Sequence, residues 1–436
     1  MRKSRRKNRK FLGLACGLSL LAATPVQALE NPITINGFAS AGFITGDLDA
    51  SFYSGTDIIG DSATFGADNT IGLQIFSNVN DKVSFTGQLL AKGVIDSYSL
   101  DAHWAFVDYH PRSDLSIRAG RLVLPVMMVS EFVDVGYAYP WARPPMEVYS
   151  GIPLTSYSGI DMLYTAHIGD NNLIIQPYMG SIPASSNIGL DVKTDLGIGL
   201  NTTFQFEYGF LRAHVMQVKG VSGSDPSTGS GFIMDAQMVA IGADLEFGNV
   251  VVISEYIKKE FEFTGLEPFS EVSGEAGYLT LGYRMGKFLP HITFASGDND
   301  VDQVSALDVA LGQMTADPDF LAYMGTLSPA EQQALAADPI AALSDPAVQA
   351  GLVGAGIVTP SELQAFPSLA GMQLPPSPLA YKQTSITLGL RYEMLSNTAL
   401  KLEYQEIEAQ EESWGLFVSE PADKVKLASF VIDVTF

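Results

Sequence analysis

The sequence predicts an all-β chain, a sixteen-stranded antiparallel transmembrane β-barrel, and three observations carry that prediction. Mean hydropathy is +0.16, yet no stretch beyond residue 28 holds the roughly twenty consecutive apolar residues that a spanning helix needs. A closed barrel is the other structure that pairs every backbone group inside a bilayer. Short segments of alternating apolar and polar residues recur along the chain, as strands with one greasy face require. The connections between them alternate strictly between tight turns and long loops.

The N-terminus comes before the barrel. Residues 1–28 combine a basic head, an apolar run of secretory length and the small-x-Ala pattern Val26-Gln27-Ala28, so a signal peptide 1–28 is expected, with the barrel over 29–436. Cys16, the only cysteine, lies within it, which leaves the remainder without thiol or disulfide chemistry. Seven of the 25 Lys and Arg residues, and none of the 48 Asp and Glu residues, fall in 1–28, leaving 18 against 48, or −30. Such a balance opposes nucleic-acid binding, and 47% hydrophobic residues exclude a disordered acidic tail.

Strands are expected near 32–46, 69–79, 82–92, 99–110, 114–121, 156–168, 172–181, 193–206, 210–219, 232–247, 250–261, 274–285, 288–297, 381–394, 398–408 and 424–436. In 82–92, Val83, Phe85, Gly87 and Leu89 share one face, and Lys82, Ser84, Thr86 and Gln88 the other. Short turns such as Gly248-Asn249 and Gly286-Lys287 carry hairpin residues. Aromatics beside them, Phe204, Phe206, Phe210, Phe247, Tyr283 and Phe288, suit an interfacial girdle. Tight turns at one end and long loops at the other are the plan of a bacterial outer-membrane barrel, not of a soluble sandwich.

Two long connections stand out. Residues 122–155 carry prolines 125, 140, 144, 145 and 153, which break ladders and helices, yet remain rich in aromatics and aliphatics. An inward-folded constriction loop is expected there. Residues 298–380 do not alternate; Ser328-Pro329-Ala330-Glu331-Gln332 reads as a helix start. This is expected to be a large, partly helical extracellular loop. Its opening, Asp298-Asn299-Asp300-Val301-Asp302, invites a calcium reading, but Gln303 replaces the turn glycine and Val309 the closing acid of an EF-hand, so a solvated acidic loop fits better.

The five histidines, His103, His110, His167, His214 and His291, form no HxH or HExxH pair, and no GxSxG elbow or phosphate-cradling loop occurs. Neither an enzyme nor a cofactor is expected. The lumen then holds the chemistry. Alternation assigns Lys82, Lys92, Asp101, Arg212, Arg284, Arg391 and Lys401 to the pore wall, and Arg118, Arg121, Glu131, Asp134, Arg143 and Glu147, in or beside the loop, are the expected constriction residues, with Arg121 on the apolar parity where a bulge or the strand's end is expected. Basic wall residues facing loop carboxylates would set a transverse field that sorts ions; equally, these carboxylates are structural partners for Arg118, Arg121 and Arg143. Tyr137, Tyr139, Trp141 and Tyr149 read either as a slide for sugars or as packing of the loop against the wall.

The final segment, LASFVIDVTF, places Phe430, Ile432, Val434 and Phe436 on one face and ends on phenylalanine. It resembles the signal that barrel-insertion machinery reads. A loop after the fifth strand lies where Gram-negative porins place their constriction, and the chain from 29 onward resembles that superfamily. Glu131-Phe132-Val133-Asp134 resembles the acidic PEFxGD element of general porins, and Gly120-Arg121-Leu122-Val123-Leu124-Pro125 the Gly-Arg-x-x-x-Pro of phosphate-selective porins. The stretches DVGYAYPWARPPMEVY and INGFASAGF are most similar to porin-like proteins of gammaproteobacteria. The resemblance implies a passive diffusion channel, a homotrimer, a lipopolysaccharide-bearing membrane and insertion through Phe436. Phosphate-selective porins rely on Arg/Lys ladders, and the 18 basic residues beyond position 28 are few for one. A substrate-specific anion or sugar channel, and a surface scaffold using 298–380, are the alternative expectations.

Overall fold

The computed structural model describes residues 33–47, 52–53, 58–59, 63–66, 68–94, 97–150, 155–182, 184–185, 191–193, 196–224, 231–264, 271–301, 318–328, 332, 345–354, 357–358, 381–410, 413, 415–417 and 424–436. The expected signal peptide 1–28 lies outside them, as do Pro329, Ala330 and Glu331 of the expected helix start.

Sixteen wall strands follow one another as antiparallel neighbours. They are β1 (Ile33–Asp47), β2 (Thr70–Asn80), β3 (Val83–Val94), β4 (Ser97–Arg112), β5 (Leu115–Val123), β6 (Ser156–Ile168), β7 (Asn171–Ser181) and β8 (Leu196–Phe206). The second half comprises β9 (Gly209–Ser224), β10 (Gly231–Phe247), β11 (Val250–Thr264), β12 (Glu271–Tyr283), β13 (Phe288–Val301), β14 (Lys382–Leu395), β15 (Thr398–Ala409) and β16 (Val425–Thr435). Short pairs at Phe52–Tyr53/Ile58–Ile59 and Ala184–Ser185/Asp191–Lys193 decorate the long loops. Two helices, α1 (Pro318–Met324) and α2 (Pro346–Gly354), belong to the loop after β13.

β1 closes the barrel by pairing with both β2 and β16. The seam ends on Gly37 and Phe436, whose backbone groups exchange bonds of 2.7 and 2.9 Å. The Phe436 ring lies on Gly37 so closely that a Cβ there would sit 2.3 Å from it. Closure leaves no free edge, which a bilayer demands.

Alternation sorts the strands as the pleat requires. Ile71, Leu73, Phe85, Leu89, Val107, Ile160, Leu196, Ile198, Val239, Ile386, Leu402 and Phe430 are exposed on the outer face, forming an apolar belt. At the short-turn end, Phe204 stacks on Phe206, Tyr208 meets Phe247, and Phe288 stacks on Tyr392. Phe210 is an exception to the expected girdle: it is buried and points inward with its alternate neighbours Arg212 and His214. β7, which contains Pro177, turns Ile174, Gln176 and Tyr178 inward and leaves Pro177 on the other face.

The interior departs from a simple polar lumen. On β9–β12 the inner face carries an apolar patch beside its polar residues: Met216, Val218, Met238, Ala240, Ile257 and Ala276 are buried inside, while Val215, Val239 and Ile241 are exposed outside. Alternation locates these four strands but does not show that their inner face carries this apolar patch, since residues such as Met216 and Met238 sit beside polar ones on the same face. The carboxylate run after residue 297 is also corrected. Asp298, Asn299 and Asp300 continue β13, so the loop starts after Val301, and Asp298 faces Lys382 at 3.5 Å.

Candidate functional site

Residues 124–149 leave the wall between β5 and β6 and cross the lumen. Their base is pinched by the Leu124 N–H donating to Thr155 O at 3.0 Å. The prolines forbid a ladder, so the segment folds as single turns: 3₁₀ turns at Ser130–Phe132 and Gly136–Ala138, then one α-helical turn at Met146–Tyr149. Backbone groups without regular partners must then find bonds elsewhere, and the wall supplies them.

The supply is residue by residue. On β14, Arg391 donates to the carbonyls of Tyr137 and Tyr139, both at 2.7 Å. On β15, Lys401 donates to the carbonyls of Gly136 and Trp141 at 2.6 and 2.7 Å, and pairs with Asp433 of β16 at 2.8 Å. On β9, Arg212 donates to Pro125 O at 2.6 Å. Wall carboxylates take the N–H groups: Glu255 of β11 accepts from Met128 at 2.5 Å, and Glu403 of β15 accepts from Ala142 at 2.8 Å. Glu255 also accepts the hydroxyls of Tyr149 and Tyr278.

The charged side chains of the segment are likewise engaged. Arg118 grips Asp161 through Nε at 2.9 Å and through Nη2, and reaches Glu131 at 3.5 Å. Asp134 pairs with Lys92 and lies 3.5 Å from His103. Arg143 binds Asp68 through 2.7 and 2.8 Å contacts and Ser429 at 2.5 Å. Glu147 is fully buried, accepts from Gln383 at 2.8 Å, and its carbonyl accepts the Tyr381 hydroxyl at 2.5 Å. Burial raises the Glu147 carboxyl above its ordinary range against the opposing hydrogen bond from Gln383. Burial raises Asp68 too, with Arg143 opposing.

The expected constriction residues Arg118, Glu131, Asp134, Arg143 and Glu147 therefore meet at the segment, together with Lys92, Arg212, Arg391 and Lys401 of the wall. Two wall expectations are corrected, Lys82 and Arg284, while Arg121 and Asp101 are found paired with each other. Arg121 is an odd number of residues from Arg118 and pairs with Asp101 at 3.1 Å, beside His103, which itself lies 3.5 Å from Asp134. Asp101 is thereby that arginine's partner. Lys82 sits in the exposed turn between β2 and β3, beyond the pore wall. Arg284 follows β12 at the short-turn rim, paired with Glu246 at 3.1 Å.

The aromatics pack. Trp141 is buried, donates to the hydroxyls of Thr280 and Thr293 at 2.9 and 3.1 Å, and meets Tyr278 edge-on at 5.3 Å. Tyr139 lies under the Lys401 ammonium at 4.5 Å and Tyr137 under the Arg391 guanidinium at 4.8 Å. No continuous aromatic surface faces the lumen among them. Sequence reasoning missed Asp68, Tyr381 and Gln383 as anchors. Gln383 carried a signal, since it shares the inward parity of Ser385 and Thr387, whereas Asp68 sits in a loop and carried none.

A closed sixteen-strand barrel with a segment after its fifth strand tied across the lumen decides the fold. The fold is that of the outer-membrane porins. No family model matches the sequence, and no curated protein matches it either. Among solved structures, this porin-fold chain is similar to an anion-selective porin from Comamonas acidovorans, at 11% identity and TM-score 0.54, over 93% of this chain and 100% of that one. It is similar to OmpT, an outer-membrane protein of Vibrio cholerae, at 10% identity and TM-score 0.53, over 94% and 99%. OmpF of Salmonella typhi in complex with daunomycin matches at 11% and TM-score 0.53, over 93% and 98%. At such identity the likeness is one of porin fold, and the anchors above are this chain's own.

Proposed function

We propose that this chain is a passive outer-membrane diffusion channel for small hydrophilic solutes and ions, with residues 124–149 as its constriction. One observation carries the reading: the segment crosses a barrel interior and is held there by Lys92, Arg118, Arg212, Glu255, Arg391, Lys401 and Glu403, which come from six different wall strands. A water-lined path spares an ion the cost of entering lipid, and whatever narrows that path decides what passes. Catalysis is not required. An in-vitro folded form of the Vibrio OmpT is described as a trimer, which supports a homotrimer here. Membrane delivery through the terminal Phe436 and residence among lipopolysaccharide belong to the same reading.

Buried Trp141 and Tyr139 argue against the sugar slide, and the scarcity of free basic groups argues against a phosphate channel. The test is conductance of the refolded protein in planar bilayers. Discrete steps are expected, and removing residues 126–150 behind a short glycine link should enlarge them. Absence of steps would remove the channel reading and leave a surface scaffold built on 298–380. Steps unchanged by the deletion would place the constriction elsewhere.

A further inference from the structure

A conventional transverse field needs cations on one side of the constriction and carboxylates on the other, separated by water. Here the basic groups are spent. Arg391 and Lys401 direct their N–H groups at four main-chain carbonyls of the segment, and Arg212 at a fifth. Each of Arg391, Lys401, Arg143 and Lys92 also has a carboxylate of its own: Glu393, Asp433, Asp68 and Asp134. A pair in contact casts a weak field at a distance, because its two charges cancel.

Carboxylates exceed that pairing. Arg118 is shared by Asp161 and Glu131, one guanidinium for two acids. Asp161 is sealed, with Tyr157 and Gln176 also bonded to it, whereas the Glu131 side chain keeps 23% exposure. At β14 the asymmetry repeats: the Arg391 side chain is 7% exposed and its partner Glu393 is 33% exposed. The cations with comparable exposure are themselves held by carboxylates: Lys92, 29% exposed, rests directly on Asp134, and Arg121, 33% exposed, pairs with Asp101, which is 54% exposed. A solute in the passage thus meets carboxylate oxygens at Glu131 and Glu393, while the guanidinium groups beside them face protein.

We propose that the passage prefers cations, and that Glu131 and Glu393 are the residues that impose the preference. The proposal rests on the channel reading above. A mobile cation replaces part of its hydration with these carboxylates at little cost, and the guanidinium and ammonium groups named above are already engaged by carboxylates or main-chain carbonyls.

The test is the reversal potential of single channels in a potassium chloride gradient. Wild-type protein should show a cation-to-anion permeability ratio above unity, and Glu131→Gln with Glu393→Gln should bring it toward unity with conductance retained. The control is Glu260→Gln, an exposed residue of β11 paired with Lys258, which should leave the ratio unchanged. A conducting channel with a ratio at or below unity overturns the cation preference but keeps the channel. An unchanged ratio in the double variant overturns the assignment to these two residues, as does an equal shift in the Glu260 control. Absence of any conductance in wild type counts against the channel reading itself. Heat-modified gel mobility separates a folded variant from an unfolded one before recording.

Discussion

The ammonium of Lys401 donates to the carbonyl of Trp141 at 2.7 Å, joining positions 260 residues apart. The same ammonium holds Gly136 O and Asp433, with about 1% of the side chain exposed. One wall lysine thus fixes both ends of the turn 136–141. Gly136 permits the approach, since a Cβ there would sit 2.1 Å from a carboxylate oxygen of Asp433.

Lys401→Met is expected to destabilise the barrel strongly. It strands Asp433 with only the Ser40 hydroxyl, at 2.6 Å, and removing one partner of a buried pair costs about 3–5 kcal/mol. Urea unfolding in lipid or detergent reads this loss. Adding Asp433→Leu should recover much of it, because the stranded charge is the main cost. A double variant no more stable than the single one would show that the carbonyl contacts, rather than the charge pair, carry the stability.

Trp141 separates packing from hydrogen bonding. Trp141→Phe keeps the ring against Tyr278 but loses the N–H shared by Thr280 and Thr293, whose hydroxyls remain bonded to each other at 2.7 Å. A cost of about 1 kcal/mol is expected. Trp141→Ala also empties the site and should cost about 3–5 kcal/mol. Equal losses for the two variants would contradict the packing role. The alanine variant should also show noisier open-channel current.

Glu147 makes the anchoring of the segment pH-dependent. Its carboxyl is raised in the folded chain, by burial first and against the Gln383 hydrogen bond, relative to an ordinary 4.5. The folded form therefore holds the proton more tightly than the unfolded form. That contribution is complete below the ordinary value and is lost as pH rises through the raised one. Acidification should raise the melting temperature through that window, and Glu147→Gln should flatten the gain. Asp68 is raised in the same sense, so the Asp68→Asn variant separates the two contributions.

The closing seam provides a folding test. Gly37→Val would drive a branched side chain into the Phe436 ring, an overpacking expected to cost about 1–3 kcal/mol. Less heat-resistant folded barrel should form on gels. Combining it with Phe436→Ala should relieve the clash, leaving only the defects of a shortened girdle.

The pattern of period two, the even run of segments and the alternation of tight and long connections were enough to specify the barrel, its strand order and the place of the crossing segment. Those features are local, since side-chain parity and turn chemistry depend on neighbours in the chain. Arg121 shows the limit of adjacency: it sits three residues from Arg118, yet it pairs with Asp101 and not with Asp161 or Glu131. The apolar patch on the inner face of β9–β12 was not legible either, because parity says which face a residue is on but not what lies opposite it across the lumen. Which cations face water and which face carbonyls was decided by the tertiary structure alone. Arg391, Lys401 and Arg212 look like a pore's basic wall when read by parity. Only when a ladder-less, proline-broken segment is laid against them do its unpaired carbonyls claim their N–H groups, because backbone polar atoms removed from water must be satisfied by whatever the opposite wall presents.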